Sequence, residues 1–147
     1  MFEFDVAKIT CIAREHGLDL VVAFGSRISG TARPESDIDL AVRFTSEPPE
    51  GQERSVIEAF VRLFRDSRVD LVVLNRADPL LAFRVARQGR LLYEEVQGTH
   101  HRFQVRSLQR HEDARKFYRA TDAYLDGYLR RKGLLVREDR GSGHADD

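Results

Sequence analysis

The spacing of apolar positions changes several times along the chain, and each change predicts an element. Asp5 precedes Val6, Ile9, Ile12 and Ala13, which recur at helical spacing until Gly17. An acceptor side chain ahead of such a run caps a helix, and a glycine behind it ends one. Leu18 to Phe24 is an unbroken β-prone run closed by Gly25, which reads as a buried strand. Ser26 to Gly30 fits a short helix, and Thr31 to Ser36 is a polar turn around Pro34. From Asp37 to Phe44 the pattern alternates, with Ile38, Leu40 and Val42 on one side and Asp37, Asp39 and Ala41 on the other. This predicts a strand with one apolar face and one chemically loaded face.

Thr45 to Gly51, with Pro48-Pro49, is a loop. Arg54 to Asp66 carries a broad apolar stripe and predicts an amphipathic helix. Val69 to Leu74 predicts another strand. Asp78-Pro79 reads as a cap followed by proline at the first helical position, opening a helix that runs to Gly89. Leu91 to Tyr93 predicts a short strand at a sheet edge. From Thr99 to Lys132 there is no proline and only one glycine, Gly127, so one long helix, or two with a break, is expected. The order of elements predicts an α/β (α+β) fold: a small mixed β-sheet flanked by helices, with a long C-terminal helical extension. Residues 137–147 are charged and contain glycine and serine, and are expected to be disordered.

Composition narrows the functional classes. No apolar run is long enough to span a bilayer, and the N-terminal Met1-Phe2-Glu3-Phe4-Asp5 has acids where a signal peptide needs bases, so a cytoplasmic protein with no membrane partner is expected. Cys11 is the only cysteine, and none of the five histidines stands at a metal-ligand spacing with it. Net charge is zero but uneven: residues 1–99 carry 13 Lys/Arg against 16 Asp/Glu, and residues 100–140 carry 11 against 6. The basic segment is either a solvated helix face or a surface for RNA or an acidic protein.

The chemistry concentrates between Gly25 and Leu40. Gly25-Ser26 sits where a strand ends and a short helix begins. Glycine allows close approach of a polyanion to the backbone, and free N–H groups at a helix start bind phosphate oxygens. Asp37 and Asp39 are two apart on a predicted strand, so their side chains share a face about 6.5–7 Å apart along the backbone. Aspartate is a poor strand former, and two like charges at that separation repel unless a divalent cation relieves them. Asp70 heads the apolar run Val69 to Leu74. If that strand neighbours the Asp37 strand, Asp70 joins the pair as a third acid able to take a proton from an attacking hydroxyl; otherwise it is a strand-edge or capping residue. Together these parts describe nucleotidyl transfer, with metal at the triphosphate, a Gly-Ser turn on the phosphates and a carboxylate activating the acceptor.

Gly25-Ser26, then ten residues, then Asp37-Ile38-Asp39 resembles the signature of the polymerase-β-like nucleotidyltransferase superfamily. The small size and the wording Ser36-Asp37-Ile38-Asp39-Leu40 resemble its minimal branch, the MNT-type antitoxins paired with HEPN ribonuclease toxins. The resemblance covers roughly Leu18 to Tyr93. It implies a nucleotidyltransferase domain over residues 1–97, a C-terminal helical extension over 98–136 and a tail over 137–147. It implies ATP and Mg²⁺ as cofactors, and transfer of AMP to a tyrosine of a HEPN-type toxin. Carried over by position, Gly25 and Ser26 hold phosphates, while Asp37, Asp39 and Asp70 are the catalytic and metal-binding acids. Many relatives carry arginine where this chain has Ser29. Arg27, beside Ser26, either replaces that charge or faces solvent.

Other readings stay open at this stage. The protein can neutralise its partner sterically, with the nucleotide site degenerate, or transfer a nucleotide to a small molecule or RNA. The aromatic stripe of Phe117, Thr121, Tyr124, Leu125, Tyr128 and Leu129 is expected to pack on its own domain. Alternatively it docks a partner or a second copy of the chain, since aromatic residues and arginine favour interfaces.

Overall fold

Asp5 opens the first helix, as its position predicts. Its carboxylate accepts the Lys8 N–H at 3.2 Å, and α1 runs Val6–Glu15. Gly17 follows in the left-handed region, at φ +70°, and turns the chain into β1, Leu18–Phe24. The computed structural model describes residues 4–25, 37–65 and 68–133. Within them, β1 is a central strand, antiparallel to β2 (Ile38–Phe44) on one side and to β4 (Arg90–Glu94) on the other. β3 (Val69–Val73) lies parallel to β2, which gives the sheet order β3-β2-β1-β4. Parallel neighbours need a crossover rather than a hairpin, and helix α2, Gln52–Phe64, supplies it.

Two apolar clusters cover the sheet on its two sides. One joins Ile9 and Ala13 of α1 and Val56 and Phe60 of α2 to Val21, Ala23, Ile38, Leu40 and Val42. The other sets Ala82, Val85 and Ala86 of helix α3 (Pro79–Gln88), with Phe103, against Leu20, Val22, Phe24 and Ala41. The alternation along β1 and β2 therefore feeds two cores. The register shift between Leu18 and Leu20 puts Leu18 on the same side as Val21, because a bulge adds one residue to the period. α3 begins as its sequence predicts: Asp78 accepts the Leu81 N–H at 2.9 Å, with Pro79 in the first turn. Gly89 follows it with ordinary backbone, but an added Cβ would lie 2.3 Å from Val22 Cγ1 and 2.4 Å from the Val85 carbonyl oxygen, so only glycine fits there.

After β3 the chain makes a 3₁₀ turn, Leu74–Arg76, and Asn75 fastens it to the end of β2. Its side-chain oxygen accepts the Phe44 N–H at 2.8 Å, and its amide donates to the Phe44 carbonyl at 3.0 Å. The side chain thus mimics a strand neighbour where β3 has turned away. Asp19 and Arg43 form a two-point ion pair across β1 and β2, at 2.9 and 3.1 Å.

The long C-terminal helix, α4, is continuous over Thr99–Arg131, so the alternative of two helices with a break is not what forms. The chain divides into two compact units, Met1–His111 and Glu112–Asp147. In the first, Thr99, Phe103 and Ser107 are buried. In the second, the aromatic stripe is exposed: Phe117 at 65 %, Tyr124 at 70 %, Leu125 at 49 % and Tyr128 at 41 %. Among the described residues these stripe side chains are exposed, contrary to the expectation that they pack.

Smaller differences have local causes. α2 starts at Gln52 instead of Arg54, because Gly51 takes φ +87° immediately before it, and it stops at Phe64 because Arg65 turns left-handed at φ 53°. Ala41, placed by its period on the face of the acids, is fully buried by the second core. The short helix expected at Ser26–Gly30, the turn at Thr31–Ser36 and the tail 137–147 lie outside the described residues. Among those described, no helix is long and apolar enough to cross a membrane.

Two stability predictions come from these contacts. Asn75→Ala leaves the Phe44 peptide without its partners and is expected to cost about 1–3 kcal/mol in urea unfolding. The His100 side chain is part-buried, and its Nε2 has no hydrogen-bond partner among the described residues. Burial lowers the His100 pKa from its ordinary value, with Glu94 opposing and His101 assisting. The unfolded chain therefore takes up this proton more readily than the folded one, so the contribution is present above the ordinary imidazole pKa and is lost as pH falls through the lowered value. Denaturant midpoints measured downward from neutral pH should fall, and His100→Gln should flatten part of that slope.

Candidate active site

The candidate acids are brought together by strand register. In the parallel pairing of β2 and β3, Asp39 lies directly opposite Asp70. Register partners on adjacent strands project to the same face, about 4.8 Å apart in the hydrogen-bonding direction. Asp37 is exposed immediately before β2 begins. The Ile38 N–H donates to the Arg68 carbonyl at 2.8 Å, so the two strands are already tied together where they begin. The condition set for Asp70 from sequence, that its strand neighbour the Asp37 strand, is thus met.

Gly25 joins the same end of the sheet from β1, whose last residue, Phe24, is paired with Asp39. Its φ of +86° is the left-handed region that disfavours any residue with a side chain. Space makes the same demand, since a Cβ built on Gly25 would sit 2.0 Å from Asp39 Oδ2 and 2.9 Å from its Cγ. The backbone at Gly25 is therefore pressed against the Asp39 carboxylate. A glycine in that position lets the Asp39 carboxylate sit against the backbone at the end of β1.

The electrostatics agree with this crowding. Burial, followed by the carboxylates of Asp70 and Asp37, pushes the Asp39 pKa above its ordinary value, and Arg84 opposes the shift. Arg84 is an exposed residue of α3, the helix that covers the face of the sheet carrying Ala41. Sequence reasoning missed Arg84. Its position on an amphipathic helix gave no sign of proximity to the acids, which depends on α3 packing against β1.

Among the described residues no group of three His, Cys, Asp or Glu side chains stands at metal-ligand spacing. The acids are a cluster of like charge at one end of the sheet, not a closed protein cage. Their chemistry nonetheless fits Mg²⁺, which takes hard oxygen donors and commonly uses only one or two carboxylates, completing its shell with water and substrate phosphate. Ser26 and Arg27, the other expected phosphate-binding residues, lie outside the described residues.

Residues 7–97 match the family described as "Polymerase beta, Nucleotidyltransferase". The chain belongs to the polymerase beta nucleotidyltransferase family. Among its relatives is the protein adenylyltransferase MntA of Aphanizomenon flos-aquae (strain 2012/KM1/D3), 31 % identical over 126 residues, or 80 % of this chain and 84 % of the relative. A crystal structure of a toxin-antitoxin with AMP-PNP resembles it with a TM-score of 0.69 at 25 % identity, covering 83 % of this chain and 98 % of that one. The tri-AMPylated Shewanella oneidensis HEPN toxin in complex with MNT antitoxin gives 0.62 at 23 % identity, covering 82 % and 94 %. At that identity the last likeness speaks for the nucleotidyltransferase fold alone.

A direct test of the glycine cradle follows. Gly25→Ala places a methyl group on the Asp39 carboxylate and strains the backbone, so ATP binding measured by calorimetry should weaken by about tenfold or more. Wild-type affinity in that variant would show that phosphates do not approach at Gly25.

Proposed function

We propose that the protein is a Mg²⁺-dependent adenylyltransferase that moves AMP from ATP onto a hydroxyl, a tyrosine of a HEPN-type toxin, and thereby acts as that toxin's antitoxin. The observation that carries this reading is the pairing of Asp39 with Asp70 beside the glycine cradle. The relatives support it: one is named a protein adenylyltransferase, and one similar solved structure is a toxin–antitoxin with AMP-PNP. The reading belongs in the cytoplasm, where ATP is available.

Asp37 and Asp39 are assigned to hold the metal, with Asp70 as the third acid. Bound Mg²⁺ supplies neutralisation of the triphosphate and orientation of its α-phosphate. Gly25, with Ser26 and Arg27, is assigned to the outer phosphates, and Arg84 adds positive charge on the same side as the acids. The Asp70 carboxylate takes the proton of the acceptor hydroxyl. That oxygen then forms its bond to the α-phosphorus, the bond to the bridging oxygen breaks, and pyrophosphate leaves.

A second reading is steric neutralisation without transfer. It is favoured by the exposed aromatic stripe on α4 and by Ser29, which stands where many relatives carry arginine. Asp39→Asn separates the two. With toxin, ATP and Mg²⁺, the wild type should add AMP mass to the toxin, and the variant should lose transfer by at least about a hundredfold while unfolding like wild type. The variant should also fail to rescue growth in cells expressing the toxin. Full rescue by a transfer-dead protein would favour the steric reading.

A further inference from the structure

The second unit carries an amphipathic helix without a partner. From Glu112 to Arg131 helix α4 buries nothing, yet one side of it is aromatic. At 100° per residue, Phe117, Thr121, Tyr124 and Tyr128 fall within one narrow stripe, with Leu125 at its margin. Isolated helices of this length are marginal in water and gain stability by burying an apolar face. Four large side chains exposed between 41 % and 70 % along one helix segment constitute such a face.

The charges beside the stripe indicate what covers it. Asp113 and Arg131 are 18 residues apart, about five helical turns. They therefore lie at the same azimuth, on the same flank of the stripe and at its opposite ends. Neither has an ion-pair or hydrogen-bond partner among the described residues, although Lys116 stands one turn on from Asp113. When a helix pairs antiparallel with a copy of itself about a two-fold axis, each flank meets its own counterpart end to end. Asp113 of one chain then faces Arg131 of the other, twice.

The same register centres the axis near Thr121 and Asp122. It sets Phe117 against the far-end segment containing Gly127 and Tyr128, and Thr121 against Tyr124.

We infer that the Glu112–Arg131 segment of α4 is an antiparallel homodimerisation helix, its occupant a second copy of this chain. Pairing covers the aromatic stripe and adds two reciprocal Asp113–Arg131 ion pairs at the rim of the interface. The inference stands apart from the catalytic reading, because the segment contains none of the acids.

Analytical ultracentrifugation of the full chain, without toxin, tests it. The wild type should sediment as a dimer at micromolar concentration. Phe117→Glu should make it monomeric, with the thermal unfolding of the nucleotidyltransferase domain preserved. Asp113→Arg should weaken the dimer by about tenfold, and Asp113→Arg combined with Arg131→Asp should restore it. A wild-type chain that remains monomeric at about 100 µM, or that associates only when toxin is added, overturns the inference. So does a charge exchange that fails to restore what the single reversal lost.

Discussion

The parallel pairing of β2 with β3 is the constraint on which the site depends. Holding Asp39 there is opposed by electrostatics: burial first, then the carboxylates of Asp70 opposite and of Asp37, push its pKa up. The sheet bears that cost because both strands are held elsewhere. Leu40 and Val42 are locked into one core, Ala41 into the other, and Asn75 pins the far end of β2 to the turn after β3. A shift of the pairing by one residue would turn Leu71 and Val72 to the wrong faces and carry Asp70 away from its partner. Apolar packing thus enforces a contact that the carboxylates themselves oppose.

Much of this architecture was legible beforehand, for physical reasons that differ by element. α1 and α3 were readable because Asp5 and Asp78 are capping residues ahead of clean helical periods, and both carboxylates accept the expected backbone N–H groups. β1 and β2 were readable because β-prone runs ended at Gly25 and alternated past Asp39. Less was legible where tertiary contact decides. The burial of Ala41 requires α3 to lie over the sheet, and the proximity of Arg84 to Asp39 has the same origin. The exposure of Phe117 and Tyr124 is a third case, since an aromatic stripe reads alike whether its partner is within the chain or outside it.

The site divides along the same line. Asp37 and Asp39 were recognisable from strand period alone, because two acids in an Ile/Leu/Val run demand an explanation. Asp70 was recognisable only conditionally, and the register supplies the condition. Gly25 was singled out as a turn that admits phosphate. Its coordinates add that it lies against the Asp39 carboxylate, which links it to the acids sterically. Family membership places the whole arrangement among nucleotidyltransferases.

The exposed half of α4 carries this logic beyond the nucleotidyltransferase domain. In the first unit, the helix residues Phe103 and Ser107 are buried, so that stretch is held by a core. In the second, the described residues of the stripe are exposed, and the pairing inferred above would cover them. A surface that repeats itself under two-fold rotation needs no separately evolved partner, because each change in the stripe appears on both sides of the contact at once. That symmetry also makes the flank charges informative. An Asp and an Arg at one azimuth five turns apart cannot pair with each other within one helix, but they set both direction and register when two copies meet.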